Sequence, residues 1–214
     1  MYLPPHFAET DTERLQQMIT SAGLVTLVTA TAEGLEASHI PLHYDPTPAP
    51  DGSAPFGTLY GHLAKANQQW RRFRTDIDAL VIFQGPDAYI SPSWYATKQE
   101  TGKVVPTWNY VAIHAYGRLK TFDDASRLLD LVTRLTQRHE SGRSKPWSVE
   151  DAPADYLAAM LKGIVGLELP IARLEGKWKM SQNRNAADRS GVVTGLRSEG
   201  ETEVAAIMAE ITSG

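Results

Sequence analysis

The sequence predicts an α+β fold built on an antiparallel sheet or barrel, with helices set between and around its strands. Three observations carry this expectation. Six or seven β-rich segments are spread along the 214 residues, and the first two form a tight hairpin. No regular strand–helix alternation runs through the chain, which argues against a doubly wound parallel sheet. No internal repeat or long low-complexity tract interrupts the pattern. A chain of this length buries roughly 70% of its surface on folding, enough for an ordinary core.

The elements follow in order. Asp11-Thr12-Glu13-Arg14 offers a capping residue and early acids, Leu15, Met18 and Ile19 an apolar stripe, and Gly23 a stop, so a first helix is expected there. Residues 24–31 are rich in β-branched side chains and read as a strand. Glu33-Gly34 is the turn, and 36–43 the returning strand. Four prolines and Asp51-Gly52 mark 45–55 as a surface loop. Strand patterns resume at 58–61, 79–83 and 110–122, with a short helical segment at 65–74. Asp123-Asp124 opens a helix over 125–139, in which Leu128, Leu131, Val132 and Leu135 fall at three- and four-residue spacing. A short helix at 155–161, a late strand at 164–174 and a terminal helix at 201–211 complete the reading.

Composition narrows the function classes. Twenty-one Lys+Arg against 25 Asp+Glu leave a net charge of −4, which argues against a dedicated nucleic-acid binder. The absence of cysteine removes disulfides, thiolate metal sites and cysteine nucleophiles together. The first residues, Met1-Tyr2-Leu3-Pro4-Pro5-His6-Phe7, show neither the basic nor the apolar region of a secretory signal. No apolar run reaches membrane length: 24–30 is broken by threonines and 163–169 carries Glu168. A soluble protein of the cytoplasm is expected.

Four segments depart from generic core or surface. In Ala37-Ser38-His39-Ile40-Pro41-Leu42 a proline inside a strand points to a sheet edge or barrel rim, where backbone groups are free for a ligand. Taken alone, it reads as an edge strand with a solvated histidine. The run from Gly61-His62 to Arg74 holds Lys65, Arg71, Arg72 and Arg74 and no acid. A strand leading into a helix N-terminus with His and Lys nearby suits an anion. An amphipathic helix docking Trp70 and Phe73 explains the same pattern equally well. Ile90-Ser91-Pro92-Ser93-Trp94-Tyr95 and Val105-Pro106-Thr107-Trp108-Asn109-Tyr110 place aromatics beside hydroxyl and amide groups. Such surfaces stack on a planar ring and hydrogen-bond its edge, although tryptophans also plug barrel ends. The fourth, Gly176 to Arg184, lies in a stretch with six Lys/Arg against Glu175 and Asp188, a second positive patch or a solvated basic segment.

Other chemistries find little support. His39 and His43 share a strand face with no carboxylate near in sequence, a weak metal signal, and no metal site is expected. There is no Gly-x-Gly-x-x-Gly after a strand, no P-loop and no Gly-x-Ser-x-Gly elbow, and no acid/base pair emerges from spacing, so catalytic residues are not assigned. The residues alone support a pocket for a planar, phosphorylated ligand.

The same blocks, in this order, resemble the PaiB family of FMN-binding negative transcriptional regulators. The likeness is carried by Met1–Phe7, Gly61-His62-Leu63-Ala64-Lys65-Ala66-Asn67, Ile90–Tyr95, Val105–Tyr110 and Lys179-Met180-Ser181-Gln182-Asn183-Arg184, and it runs from residue 1 to about 196. Gln68 stands where the family pattern has proline. The resemblance implies an FMN-binding split β-barrel, Greek-key-like and antiparallel with peripheral helices, over residues 1–196, followed by a C-terminal helix and tail at 197–214. It further implies a homodimer with the flavin at the subunit interface. By position, Ser38, His39 and Ile40 would border the isoalloxazine, and His62, Lys65 and Asn67 would lie near the phosphate. Thr107, Trp108 and Asn109 would line the ring pocket, and Ser181, Gln182 and Asn183 would approach from the partner subunit.

Three functions follow from this likeness. One is a repressor sensing flavin or redox state, another an FMN-dependent oxidoreductase, the third a haem-binding or haem-degrading split barrel. Direct DNA contact has little sequence support, since no helix-turn-helix pair with a basic recognition helix is visible. The two basic stretches, 65–74 and 173–197, each carry a net +4, leaving −12 on the rest of the chain. That distribution marks places for a small anion more than a stripe for DNA.

Overall fold

The computed structural model describes residues 1–213 and leaves Gly214, the last residue of the expected tail, outside the described residues. Among the described residues, ten strands and seven α-helices fall in two compact units. One unit comprises Gln16–Phe83 and His114–Leu174; the other comprises Met1–Leu15, Gln84–Ile113 and Glu175–Gly214. The strands are β1 (Ala8–Glu9), β2 (Leu24–Thr31), β3 (Gly34–Pro41), β4 (His43–Asp45), β5 (Thr58–Ala64), β6 (Ala79–Ile90), β7 (Thr107–Gly117), β8 (Lys120–Phe122), β9 (Ile164–Pro170) and β10 (Arg173–Lys179). They hydrogen-bond in the order β1-β10-β7-β6-β2-β3 in one sheet and β4-β5-β9-β8 in the other. The β1–β10, β2–β3, β2–β6, β4–β5, β5–β9 and β8–β9 pairings are antiparallel, giving the α+β split-barrel class expected from the sequence.

In the unit that contains the hairpin, β2 pairs β3 from Leu24↔Pro41 to Thr31↔Gly34, and β2 also pairs β6 through Leu27↔Val81. Val25, Leu27 and Thr29 alternate into the core, as period-two patterning requires. The strand expected over 36–43 divides at Leu42. Pro41 has no N–H to continue the ladder, so β3 ends there and β4 begins in the other sheet. The freed Leu42 carbonyl accepts from Arg138 at 2.9 Å, and the Ala22 carbonyl accepts from the same guanidinium at 2.5 Å. Arg138 lies on helix α4 (Ala125–Glu140), whose N-terminus is capped by Asp124 accepting from the Arg127 amide at 2.9 Å. Its buried Leu128, Leu131 and Leu135 are the stripe read from spacing. Helix α5 (Ala154–Lys162) follows before β9. The strand expected at 164–174 is likewise two strands, because the chain leaves β9 at Pro170, and Ile171 bonds instead with the 56–57 backbone.

The helix expected over 65–74 is only α2 (Gln69–Arg72), preceded by turns. Helix α1 (Thr12–Ser21) matches its expected position. In the other unit, β1 pairs β10 through Ala8↔Lys177 and Glu9↔Gly176. The segment after β10, read from sequence as polar and basic, carries helix α6 (Ala186–Ser198). Helix α7 (Thr202–Ser213) takes the place of the expected terminal helix. Helix α6 runs unbroken through the expected boundary at 196/197, and Val192, Leu196, Val204, Ala205 and Met208 are buried. Gly191 and Gly195 of α6 meet Trp94, in the turn Pro92–Trp94 that precedes α3 (Thr97–Thr101). Among the described residues no helix is long and apolar enough to cross a membrane.

Candidate functional site

The sequence-selected residues fall into two groups, one in each unit. The first is organised by Gln69, which is fully buried (0% exposed). Its side-chain nitrogen donates to the Glu36 carbonyl at 3.1 Å and to the Thr29 hydroxyl at 3.0 Å. A backbone carbonyl only accepts, so this pair fixes which end of the Gln69 amide is nitrogen. The remaining end, Oε1, lies 2.6 Å from Ser38 Oγ and accepts the serine proton. The Asn67 amide is fixed in the same way, since its oxygen accepts from the Gln69 N–H at 3.0 Å and its nitrogen donates to Ser38 Oγ at 3.0 Å. Ser38 and Asn67 are both half-buried, so their remaining hydrogen-bonding capacity is within reach of a ligand. His39, one residue along β3, is exposed and shares a hydrogen bond of 3.1 Å with Thr26, its neighbour across the hairpin. Ile40 points to the core.

The anion cradle expected at a helix start here is not formed as drawn. A single helical turn has little dipole. The amides that would face a phosphate are engaged: Lys65 N–H donates to Gly163 at 2.8 Å, Asn67 N–H to Ala64 at 2.9 Å, and Gln69 N–H to Asn67. Lys65 is half-buried, with its carbonyl taking the Trp70 indole N–H at 3.1 Å and Arg71 stacked on that indole at 4.4 Å.

His62 is seated elsewhere. It lines a hollow of about 310 Å³ with Pro41, Val132, Leu135, Thr136, His139, Glu140 and Trp147, while Ser38, Lys65 and Asn67 do not line it. Its Nδ1 is buried without a hydrogen-bond partner among the described residues. Burial pushes the His62 imidazole below the ordinary histidine pKa, and burial followed by the charge of Arg134 does the same to His43. In the unfolded chain both protonate near pH 6.5, so below that pH the unfolded state binds more protons than the folded one. Stability is therefore fully present above about pH 6.5 and is lost as pH falls through the lower folded values. A thermal melt series should be flat near pH 7–8 and decline below about 6.5, with a shallower decline in His62→Phe. A flat profile down to pH 5 would show that neither imidazole is shielded.

The second group surrounds a small pocket of about 110 Å³ lined by Val105, Pro106, Thr107, Asn109, Lys179, Ser181, Asn183 and Arg184. Lys179 donates to Thr107 Oγ1 at 2.5 Å and to the Trp108 carbonyl. Burial, then the charges of Lys177 and Arg184, lower its pKa. Arg184 stacks on Tyr95 at 4.6 Å. The lining has two cations and no carboxylate. Its shape is set by Ser181, which is 3% exposed and holds a left-handed backbone (φ 62°) at the end of β10. Its hydroxyl donates to Asn109 at 3.1 Å, and Asn109 in turn donates to the Met208 sulfur at 3.1 Å. Gln182 is occupied with backbone, accepting from the Met180 N–H at 2.7 Å and donating to the Trp178 carbonyl at 2.6 Å. Trp108 lies on the other face of β7, 53% exposed, edge-on to Tyr89 at 5.9 Å.

Thus Thr107 and Asn109 meet Ser181 and Asn183 within one chain. The sequence did not single out Gln69, whose polar identity hides a core position, or the roles of Lys179 and Arg184, visible only as members of a basic run. Among the described residues, no group of three or more His, Asp or Glu could hold a metal ion.

The antiparallel strand order, interrupted hairpin and peripheral helices define a split-barrel fold. A family model described as "Putative FMN-binding domain" matches residues 1–173, and the chain belongs to that family. It is 34% identical over 211 residues to "Protease synthase and sporulation protein PAI 2" of Bacillus subtilis, covering 99% of this chain and 96% of the relative. It is 37% identical over 230 residues to an uncharacterized protein of Emericella nidulans, covering 94% and 92%. Among solved structures, the flavocytochrome Anf3 of Azotobacter vinelandii has a TM-score of 0.57 at 13% identity, covering 86% of this chain and 75% of that one. A FAD and heme binding protein of Mycobacterium smegmatis has a TM-score of 0.55 at 18% identity, covering 86% and 78%. At these identities the structural likeness shows the fold alone.

Proposed function

We propose that the protein binds FMN, as a homodimer with the flavin at the subunit interface, and acts as a flavin-responsive regulator. One observation carries the cofactor reading: the pocket of Thr107, Lys179, Asn183 and Arg184 is cationic, free of carboxylates and, at about 110 Å³, sized for a phosphate group and not for a ring system. The donor set fits a phosphate monoester, and the polar pair Ser38 and Asn67 fits the edge of a planar ring. The exposed Tyr89–Trp108 pair and Val105 supply apolar surface suited to cover by a ligand or a second subunit. A bound flavin would supply one- or two-electron transfer, which serves a redox sensor or an oxidoreductase alike. The name of the Bacillus subtilis relative, tied to protease synthesis and sporulation, favours the regulator.

The experiment is a titration of apoprotein with FMN and with riboflavin, read by flavin fluorescence. Lys179→Ala and Arg184→Ala should each weaken FMN by about 10- to 150-fold, the loss of a charge-assisted hydrogen bond, and leave riboflavin nearly unchanged. Lys65→Ala, at the position first associated with the phosphate, serves as the comparison. Equal losses for both flavins in the Lys179 and Arg184 variants would place the phosphate elsewhere. Light scattering tests the dimer, and regulation through direct DNA contact predicts a complex that weakens steeply with salt.

A further inference from the structure

We propose that Ser38 and Asn67 form a pair that reads the imide edge of a planar ring, and that Gln69 is the positioning residue that sets the pair's polarity. The proposal rests on the flavin reading above and deepens it by naming which part of the ligand meets these residues. The argument is one of proton assignment. Gln69 must present its oxygen to Ser38, because its nitrogen is held by the Glu36 carbonyl and the Thr29 hydroxyl. Ser38 therefore spends its only proton on Gln69 at 2.6 Å. It also accepts one hydrogen bond from Asn67 at 3.0 Å. A hydroxyl has two acceptor positions, so Ser38 retains one lone pair and no proton: toward a ligand it only accepts. Asn67 gives one oxygen lone pair to the Gln69 N–H and one amide hydrogen to Ser38, which leaves it one N–H to donate beside the Ser38 acceptor.

An obligate acceptor, Ser38, beside an available N–H of Asn67 is complementary to adjacent N–H and C=O groups, the pattern of an imide or lactam. The pyrimidine end of an isoalloxazine carries that pattern. Sugar or ribityl hydroxyls both donate and accept, so a site for them has no need of fixed polarity. A phosphate dianion would meet the acceptor Ser38 unfavourably, which separates this pair from the phosphate end. The cost of the arrangement is burial of a whole glutamine amide, offset by its hydrogen bonds to Thr29, Glu36 and Ser38.

The test compares FMN with N3-methyl-FMN, in which the imide N–H is replaced by a methyl group. The wild-type chain should bind FMN at least tenfold more tightly than the methylated analogue. Ser38→Ala, a small change on an edge strand, should bring the two affinities together. Gln69→Met should also reduce the ratio. A variant that is merely less folded lowers both affinities alike and leaves the ratio unmoved, so the ratio separates positioning from stability. Equal affinity of the wild type for both ligands, or a preference that persists in Ser38→Ala, overturns the imide assignment while leaving FMN binding intact. No binding of either flavin overturns the flavin reading itself, and the assignment with it.

Discussion

Gly191→Val is expected to destabilise the chain by about 3 kcal/mol or more, lowering the melting temperature by about 6–12 °C. A Cβ at Gly191 would lie 2.0 Å from the Trp94 carbonyl oxygen and 3.2 Å from its carbon. Both are backbone atoms, so no rotamer change relieves the overlap, and α6 must shift from the turn it packs on. Gly195→Ala should cost less. Its Cβ would meet the Trp94 ring at 2.3–2.5 Å, and a ring can tilt. Gly142→Ala, with open space around the new methyl, is the control and should melt within about 1 °C of the parent. The consequence extends to the pocket, because Tyr95 follows Trp94 and carries the stacked Arg184. Gly191→Val should therefore also weaken FMN binding at a temperature where the chain is still folded. Calorimetry with parallel flavin titration measures both effects. An unchanged melt would show that α6 does not rest on Trp94.

Gln69→Met should lower stability by about 2–4 kcal/mol and the melting temperature by about 5–15 °C. Methionine matches the length of glutamine, so little cavity is made and the loss is mainly electrostatic. The Glu36 carbonyl and the Thr29 hydroxyl lose the glutamine donor, and Ser38 loses the acceptor for its proton. Thr29 is itself only 2% exposed, so water cannot readily replace the glutamine there. The measurement is a urea or thermal titration against Gln68→Met, an adjacent exposed glutamine that should be neutral. Similar melting of the two variants would remove Gln69 from its central place in the site.

These two residues also show where sequence reading succeeds and where it stops. The strand at 24–31 and the helix at 125–139 are legible because each repeats one rule over many residues: alternation in β2, and three- and four-residue spacing in α4. The breaks were harder. Pro41 is a rim signal in the sequence, yet the change of sheet at Leu42 depends on Arg138, 96 residues away, supplying the carbonyl's hydrogen bond. Helix α6 leaves no clear periodic signature because its stretch is polar and basic, and its burial is concentrated at a few positions such as Val192 and Leu196. A signal was nonetheless available: Gly191 and Gly195 stand four apart, the spacing that lays a bare helix face against another element.

The chemistry divides in a similar way. Sequence by itself determined the fold class, the family and the polar blocks from which a site is built, since these depend on residue types in order along the chain. It also identified the stretches carrying positive charge. Tertiary structure decided how the blocks are placed: it separated His62 from Ser38 and Asn67, turned Trp108 away from Thr107 and Asn109, and engaged the Lys65, Asn67 and Gln69 amides within the protein. It also joined Lys179 and Arg184 to Thr107. The physical reason is that a hydrogen bond or a cationic pocket is fixed by distance and direction between residues far apart in sequence. In Gln69, a residue that sequence would place at the surface, the fold buries an amide whose polarity is passed on to Ser38.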